Sequence, residues 1–358
     1  MVNNKFWKNK KVFITGHTGF KGSWLSIWLK MLGAKVYGYS LSPQTNPNIY
    51  KLARLNKYID KSYIANIQDM NKLKKAISRT KPHILFHLAA QPSVRESYKR
   101  SLETVKTNII GTSNLLEILK KNSSLRSAVM VATDKVYENN EKKISFKETH
   151  KLGGKDIYSA SKAGAEILLN AYRESFFLKS KISIASARSG NVIGGGDWTR
   201  DRIVPDCLNA FSKNKKLIIR YPNSIRPFQY VLEPIYGYLI LAEKLYNEGP
   251  LFARPWNFGP KKKNTLKVID LAKKIKKIMK SESKIIISKK KNFNEAGHLA
   301  LDSANSIKFL NWKKFFNLND TLKLTVDWFD DFRAKKDLRK TCVKQIKNFT
   351  NIINEQKV

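Results

Sequence analysis

The 358-residue sequence predicts an α/β fold: a doubly wound parallel sheet followed by a smaller mixed α/β lobe. Three observations predict it. The short apolar run 12–15 ends in Gly16, Gly19 and Gly22, and residues 23–32 then carry amphipathic helical spacing. Further apolar runs at 34–39, 84–90, 128–133 and 182–188 alternate with helical patterns, the order that buries a parallel sheet under helices on both faces. From Ser189 onward the segments shorten and turn signals appear, as at Tyr221-Pro222-Asn223 and Gly259-Pro260.

The elements follow in order. Residues 12–15 read as the first strand, with Trp24, Leu25, Trp28, Leu29 and Leu32 as the inward stripe of the helix behind it and Gly33 as its C-terminal cap. Residues 34–39 form a second strand and 58–65 a third. A helix at 69–79 turns Leu73, Ala76 and Ile77 inward. The continuous apolar run 84–90 is the type of strand that is covered on both sides, and His87 at its end is expected to be packed. Helix 102–121, strand 128–133, helix 159–177 and strand 182–188 complete a Rossmann-type arrangement. Residues 233–245 read as a helix returning to this unit, and 322–353 as charged and helical without evident chemistry. The expected division is 1–188, with a return segment at about 226–257, for a dinucleotide domain, and 189–358 mainly for a substrate domain.

Composition narrows the class. Lys and Arg total 68 against 28 Asp and Glu, a formal charge of +40. The lysines are spread over nearly every segment, with short runs only at 261–263 and 289–291, and no helix-turn-helix, zinc-finger or RNP-type pattern is present. Nucleic acid is therefore not the expected partner; solvated helix faces, with an anionic small substrate, account for the charge. Cys207 and Cys342 cannot build a disulfide framework, and His17, His83, His87, His150 and His298 show no metal-ligand spacing. The first strand begins too early for a signal peptide, and no apolar run reaches a membrane span, so a cytoplasmic protein is expected.

The glycine triplet lies between strand and helix, where glycines admit an unusual turn, close approach of a pyrophosphate, and tight helix–strand packing. The helix N-terminus adds free N–H groups and a partial positive charge. An acid that would bind a ribose is expected about twenty residues on, but Ser40-Leu41-Ser42-Pro43 stands there, with no Arg or Lys to hold a 2′-phosphate either; NAD is the expected cofactor. Tyr158 and Lys162 are spaced i, i+4 on one helix face, where an ammonium lowers the tyrosine pKa toward a general base. Thr133-Asp134-Lys135 ends the fifth apolar strand and offers a hydroxyl, a proton donor and a cation or base. Asn191, in the flexible run 189–198, with the forked donors Arg202 and Arg226, suits a diphosphate, although each arginine fits a surface ion pair equally well.

These motifs together resemble the extended short-chain dehydrogenase/reductases that act on nucleotide sugars. The likeness runs through residues 15–24, 88–92, 133–139, 190–198 and 225–234, from about residue 6 to about 260. It implies a 4,6-dehydratase acting on a nucleotide-hexose, most closely CDP-D-glucose, in deoxysugar and O-antigen biosynthesis. Gly16, His17, Thr18, Gly19, Phe20, Lys21 and Gly22 would hold the NAD pyrophosphate. Ser40, Asn66 and Ile67 would flank its adenosine, and Leu88, Ala89, Ala90, Gln91 and Asn108 its nicotinamide side. Thr133, Asp134, Lys135, Tyr158 and Lys162 would be catalytic, the last two also gripping cofactor. Gln91, Asn191, Arg202 and Arg226 would bind substrate, with no metal. Relatives commonly carry an acid near Ser42, and dTDP-glucose dehydratases a Glu where Lys135 stands. They also commonly form dimers, so a homodimer or homotetramer is expected. A 4-epimerase using the same Tyr/Lys pair needs no acid at C6, so Asp134 separates the two activities; a dinucleotide- or RNA-binding protein without chemistry is the remaining alternative.

Overall fold

The computed structural model describes every residue except Met1, Lys142, Lys143, Lys262, Lys263, 289–298 and 356–358. The basic runs at 261–263 and 289–291, Lys261 apart, and His298 lie outside the described residues. Six strands come first: β1 (Lys11–Thr15), β2 (Lys35–Ser40), β3 (Lys61–Ile64), β4 (Ile84–His87), β5 (Ser127–Thr133) and β6 (Ser183–Ser189). Shorter strands follow: β7 (Asn191–Ile193), β8 (Leu217–Ile219), β9 (Ile225–Tyr230), β10 (Trp256–Phe258), β11 (Thr265–Lys267) and β12 (Ile285–Ile287).

The main sheet has seven strands in the order β10-β6-β5-β4-β1-β2-β3, all parallel. The order reverses between β1 and β4, the switch point at which ligands of doubly wound sheets bind. Strand alternation divides each apolar run between two cores. Val12, Ile14, Ile84, Phe86, Val129 and Val131 face one side, against helices Phe20–Met31 and Leu232–Glu248. Phe13, Leu85, Ala128 and Met130 face the other, against Met70–Thr80, Gly111–Lys120 and Ile157–Tyr172. Burial on both faces is why these strands read as unbroken apolar runs.

Several expected bounds move, for physical reasons. Strand β4 stops at His87, because Leu88 and Ala89 turn to donate their N–H groups to the Thr15 hydroxyl at 3.2 Å. The expected helix 102–121 is two α-helices, Ser101–Val105 and Gly111–Lys120, joined by a wide turn over Lys106–Ile110 that swings Asn108 inward. Residues 322–353 divide into helices Leu318–Arg333 and Leu338–Glu355.

The second part contains a three-stranded sheet, β11-β9-β7, and the pair β12-β8. Its core joins Val204, Leu208 and Phe211 of helix Ile203–Phe211 to Phe228, Leu271, Ile275, Leu322 and Val326. Helix Leu338–Glu355 instead packs in the first core, its Phe349 ring edge-on to Trp28 at 5.7 Å. Both cysteines are buried and free. No helix among the described residues is long and apolar enough to cross a membrane.

Candidate active site

The carboxyl ends of β1, β4, β5 and β6 converge on one cleft. Gly16 adopts φ +77°, and a Cβ there would lie 2.7 Å from the backbone of Leu88 and Ala89. A Cβ on Gly22 would lie 2.2 Å from the Gly16 carbonyl oxygen. Backbone therefore packs on backbone, and only glycine fits. Helix Phe20–Met31 begins at Gly19 with no side-chain cap, so its first N–H groups are open toward the cleft. This cradle fits a dinucleotide pyrophosphate. His17 gives it only backbone: its ring lies beneath Gly38, within 2.7 Å of Ser62 Oγ, and burial lowers its pKa to about 4. The Thr18 and Ser40 hydroxyls are 2.9 Å apart at the end of β2, and Thr18 also donates to the Leu41 carbonyl. Tyr39 donates to the Asn66 carbonyl at 2.9 Å, and Ile67 is buried against Gly111.

On the other side, Gln91 and Asn108 hold each other through two hydrogen bonds of 2.8 and 3.2 Å, and Asn108 Nδ2 donates to Ser161 Oγ at 2.8 Å. The loop 88–91 is thereby fixed to the helix that carries Tyr158 and Lys162. His87, within 2.7 Å of Thr15 Oγ1 and 3.1 Å of Thr112 Oγ1, is packed support.

Tyr158, Lys162, Thr133 and Asp134 meet above β5. Asp134 is 3% exposed; Thr133 Oγ1 donates to its Oδ1 at 3.0 Å, while its Oδ2 has no hydrogen-bond partner. Burial raises its pKa against the pull of Lys135, Thr133 and Arg226, so the group can hold a proton. Asn191 Nδ2 is a second buried polar atom without a partner. An acceptor or acid and a donor left open in one buried cleft are what a polyhydroxylated ligand would satisfy.

The expected lowering of the Tyr158 pKa is not what the unliganded site gives. Burial pushes it up to about 12; hydrogen bonding with Thr133 and the charge of Arg202 pull it down, and Asp134 and Asp156 oppose them. Desolvation dominates at Tyr158, and Lys162 is itself desolvated, its pKa lowered to about 8 and its Nζ donating to the Val131 carbonyl at 3.1 Å. Lys21, donating to Ser189 Oγ at 3.3 Å, is lowered to about 7 by burial and by the charges of Arg202 and Lys162. Lys135 is half-buried. Arg226 is buried, and Arg202 is paired with Asp197 at 3.1 Å, the ion pair its sequence also allowed.

Sequence reasoning missed the ion triad in which Asp201 binds both Arg95 at 2.5 Å and Arg220 at 2.9 Å. It also missed Glu166, four residues beyond Lys162, whose spacing was the available signal. Among the described residues no group of His, Cys, Asp and Glu could hold a metal ion.

This fold and site define a class, a nucleotide-sugar enzyme built on a dinucleotide sheet, and the model of the GDP-mannose 4,6 dehydratase family matches residues 13–325. The chain belongs to that family. Over 343 residues it is 41% identical to the CDP-glucose 4,6-dehydratase of Salmonella typhimurium, covering 94% of this chain and 95% of that one. A dTDP-D-glucose 4,6-dehydratase of Dictyostelium discoideum is 32% identical over 68% of this chain and 59% of its own. Among solved structures, a UDP-glucose 4-epimerase of Thermotoga maritima (TM-score 0.79, 24% identity, 90% of this chain and 99% of that one) shares the fold. So does a dTDP-glucose 4,6-dehydratase of Bacillus anthracis solved with NAD (TM-score 0.76, 20% identity, 92% and 99%).

Proposed function

We propose that the chain dehydrates CDP-D-glucose to CDP-4-dehydro-6-deoxy-D-glucose, with NAD as resident cofactor. The observation that carries this reading is the buried Asp134, raised toward its neutral form with one oxygen free, beside Tyr158. A 4-epimerase needs no acid there. The Salmonella relative bears the name of this activity across nearly its whole length.

NAD would be held by residues 16–22, 66–67 and 88–91 and would supply the hydride-accepting and hydride-returning chemistry of the cycle. Tyr158 takes the C4 hydroxyl proton as the C4–H bond breaks, its phenolate favoured by the Thr133 hydrogen bond and the charge of Arg202, with Lys162, one helical turn on, assigned to the same work. The C4 ketone acidifies C5–H, and Lys135 is assigned either to take that proton as base or, as an ammonium, to stabilise the enolate that its loss leaves. Asp134 protonates the departing C6 hydroxyl, which leaves as water; the hydride then enters at C6 and a proton at C5, so the net change is loss of water. Asn191, Arg202 and Arg226 hold the diphosphate, Arg202 exchanging Asp197 for phosphate oxygens.

The cofactor is assigned to residues 1–188 with 226–257, and the substrate mainly to the remainder, helix Leu338–Glu355 buttressing the cofactor side. The enzyme is assigned to the cytoplasm and to deoxysugar synthesis. Leu102, Ile110 and Ile167, exposed on neighbouring helices, are the surface for self-association as a homodimer or homotetramer. The test is incubation of purified protein with CDP-, dTDP-, UDP- and GDP-hexoses. A 4-keto product from CDP-glucose supports the reading; CDP-galactose, or no turnover with any of the four, overturns it.

A further inference from the structure

Behind Tyr158 and Lys162 runs a buried polar network that none of the steps above uses. Helix Ile157–Tyr172 carries Tyr158, Lys162 and Glu166 at successive i+4 positions, on one face. Glu166 is 5% exposed, and its partner Arg188 on β6 is 2% exposed. Arg188 Nε donates to Glu166 Oε1 and Arg188 NH2 to Oε2, each at 2.9 Å, in a bidentate pair; Ser186 Oγ donates to Oε2 at 2.8 Å. The third nitrogen, Arg188 NH1, donates to the Tyr137 hydroxyl at 2.8 Å, which donates to Asn257 Oδ1 at 2.7 Å. Tyr137 directly follows the single turn Asp134–Val136. One carboxylate thus ties the Tyr158 helix to β6 and, through Arg188, to the segment bearing Asp134.

We propose that Glu166 is a positioning residue: its carboxylate, immobilised by Arg188 and Ser186, is the counter-charge that keeps Lys162 an ammonium and stations it beside Tyr158. The proposal rests on the Tyr158–Lys162 reading above.

The groups facing Lys162 leave few other sources of that charge. From helix Phe20–Met31 comes Lys21, a repelling cation. From β4 comes His87, which burial holds down to about 3 and so keeps neutral. From β5 comes the Val131 carbonyl, and Thr133 and Asp134 meet Tyr158 and Lys21. Among the described residues, Glu166 is the anion acting on Lys162 directly, and it opposes the desolvation of the ammonium. Burial disfavours its own charged form, but Arg188 and the hydrogen bonds hold its pKa below the usual carboxylate range, so it stays ionised throughout the working pH. Stability alone does not account for the pair, since a buried ion pair is often replaceable by apolar side chains without loss.

The test uses E166Q, which keeps the side chain's shape and an acceptor for Arg188, and two readouts. In unliganded protein with 15N-labelled lysine, the Nζ signal that disappears in K162M is followed against pH. With CDP-glucose, the pH profile of kcat/KM for 4-keto product is recorded. Removing an opposite charge at this range predicts that the Lys162 titration falls by about one unit or more. The alkaline limb of the profile then moves down with it, about fivefold of activity being lost at pH 8 for a one-unit fall, approaching tenfold at higher pH, and much less near pH 6. E166D should restore most of the shift. Uniform loss at every pH, with the Lys162 titration unmoved, would assign Glu166 a purely structural role and overturn the proposal. Should E166Q not fold, E166Q/R188M, which leaves no unpaired guanidinium, decides on the same Nζ readout: a downward shift supports the proposal and an unmoved titration refutes it. Absence of 4-keto product from the unaltered enzyme would instead sink the functional reading, while the Nζ titration still decides the role of Glu166.

Discussion

Replacing Lys21 by Met should change how the protein's stability depends on pH. Lys21 keeps part of its surface open, but its ammonium lies deep in the cleft beside Arg202 and Lys162, and its pKa is lowered from 10.5 to about 7. In the unfolded chain it returns to the ordinary value. Between pH 7 and pH 10.5 the unfolded state therefore holds a proton that the folded state has lost, and stability contributed by this group rises with pH through that window. For one site with these two values, the gain from pH 7 to pH 9 is at most about 2 kcal/mol, since solvent reaching the side chain reduces it. The assay is urea unfolding of unliganded protein at pH 7 and pH 9, wild type beside K21M. The wild type should gain on the variant by up to that amount, about thirtyfold in the folding equilibrium. Wild-type and variant curves that remain parallel across the window would refute the reasoning, because Lys21 would then be carrying its proton as freely in the cleft as in water.

Other outcomes follow from the same geometry. Y158F should lower turnover by about 10² to 10⁴-fold while nucleotide-sugar affinity, measured by calorimetry, stays near wild type. D134N should still exchange C5–H of the substrate with solvent deuterium, through the C4 ketone, but lose water elimination by a similar factor, separating the oxidation from the dehydration. G22A should abolish dinucleotide binding or folding, because its methyl would lie 2.2 Å from the Gly16 oxygen, and a thermal unfolding scan with and without NAD distinguishes these. Diphosphate ligands should bind with proton uptake near pH 7 to 8, as their negative charge draws Lys21 and Lys162 back toward their protonated forms; calorimetry in two buffers of different ionisation enthalpy measures it.

How much of this was legible in the sequence depends on how local each signal was. The loop at Gly16–Gly22 and the strand–helix alternation were readable because the central strands bury both faces and because Gly16 and Gly22 meet backbone where any Cβ would clash. The pairing of Tyr158 with Lys162 was readable from helical spacing, yet its electrostatics were not: spacing gives proximity, whereas the pKa is decided by desolvation, which needs β5, the Val131 carbonyl and helix Phe20–Met31 assembled around it. The ion triad of Arg95, Asp201 and Arg220 joins segments distant in sequence, and no periodicity announces it. Likewise the pattern of 322–353 said that it was helical, but not that Leu338–Glu355 packs in the first core while Leu318–Arg333 divides, Trp328 joining the first core and Leu322, Val326 and Phe329 the other.

That last division bears on the order in which the molecule can be made. Helix Phe20–Met31, whose N-terminus shapes the dinucleotide cradle, is almost wholly enclosed, and one wall of its enclosure is Leu338–Glu355 with Phe349 against Trp28 and Tyr236. A ribosome emits the cradle long before this wall. Until the wall is made, Trp28 and Tyr236 lack the Phe349 ring that packs against both. Closure of the core behind the cradle therefore waits on a segment made long after the cradle itself.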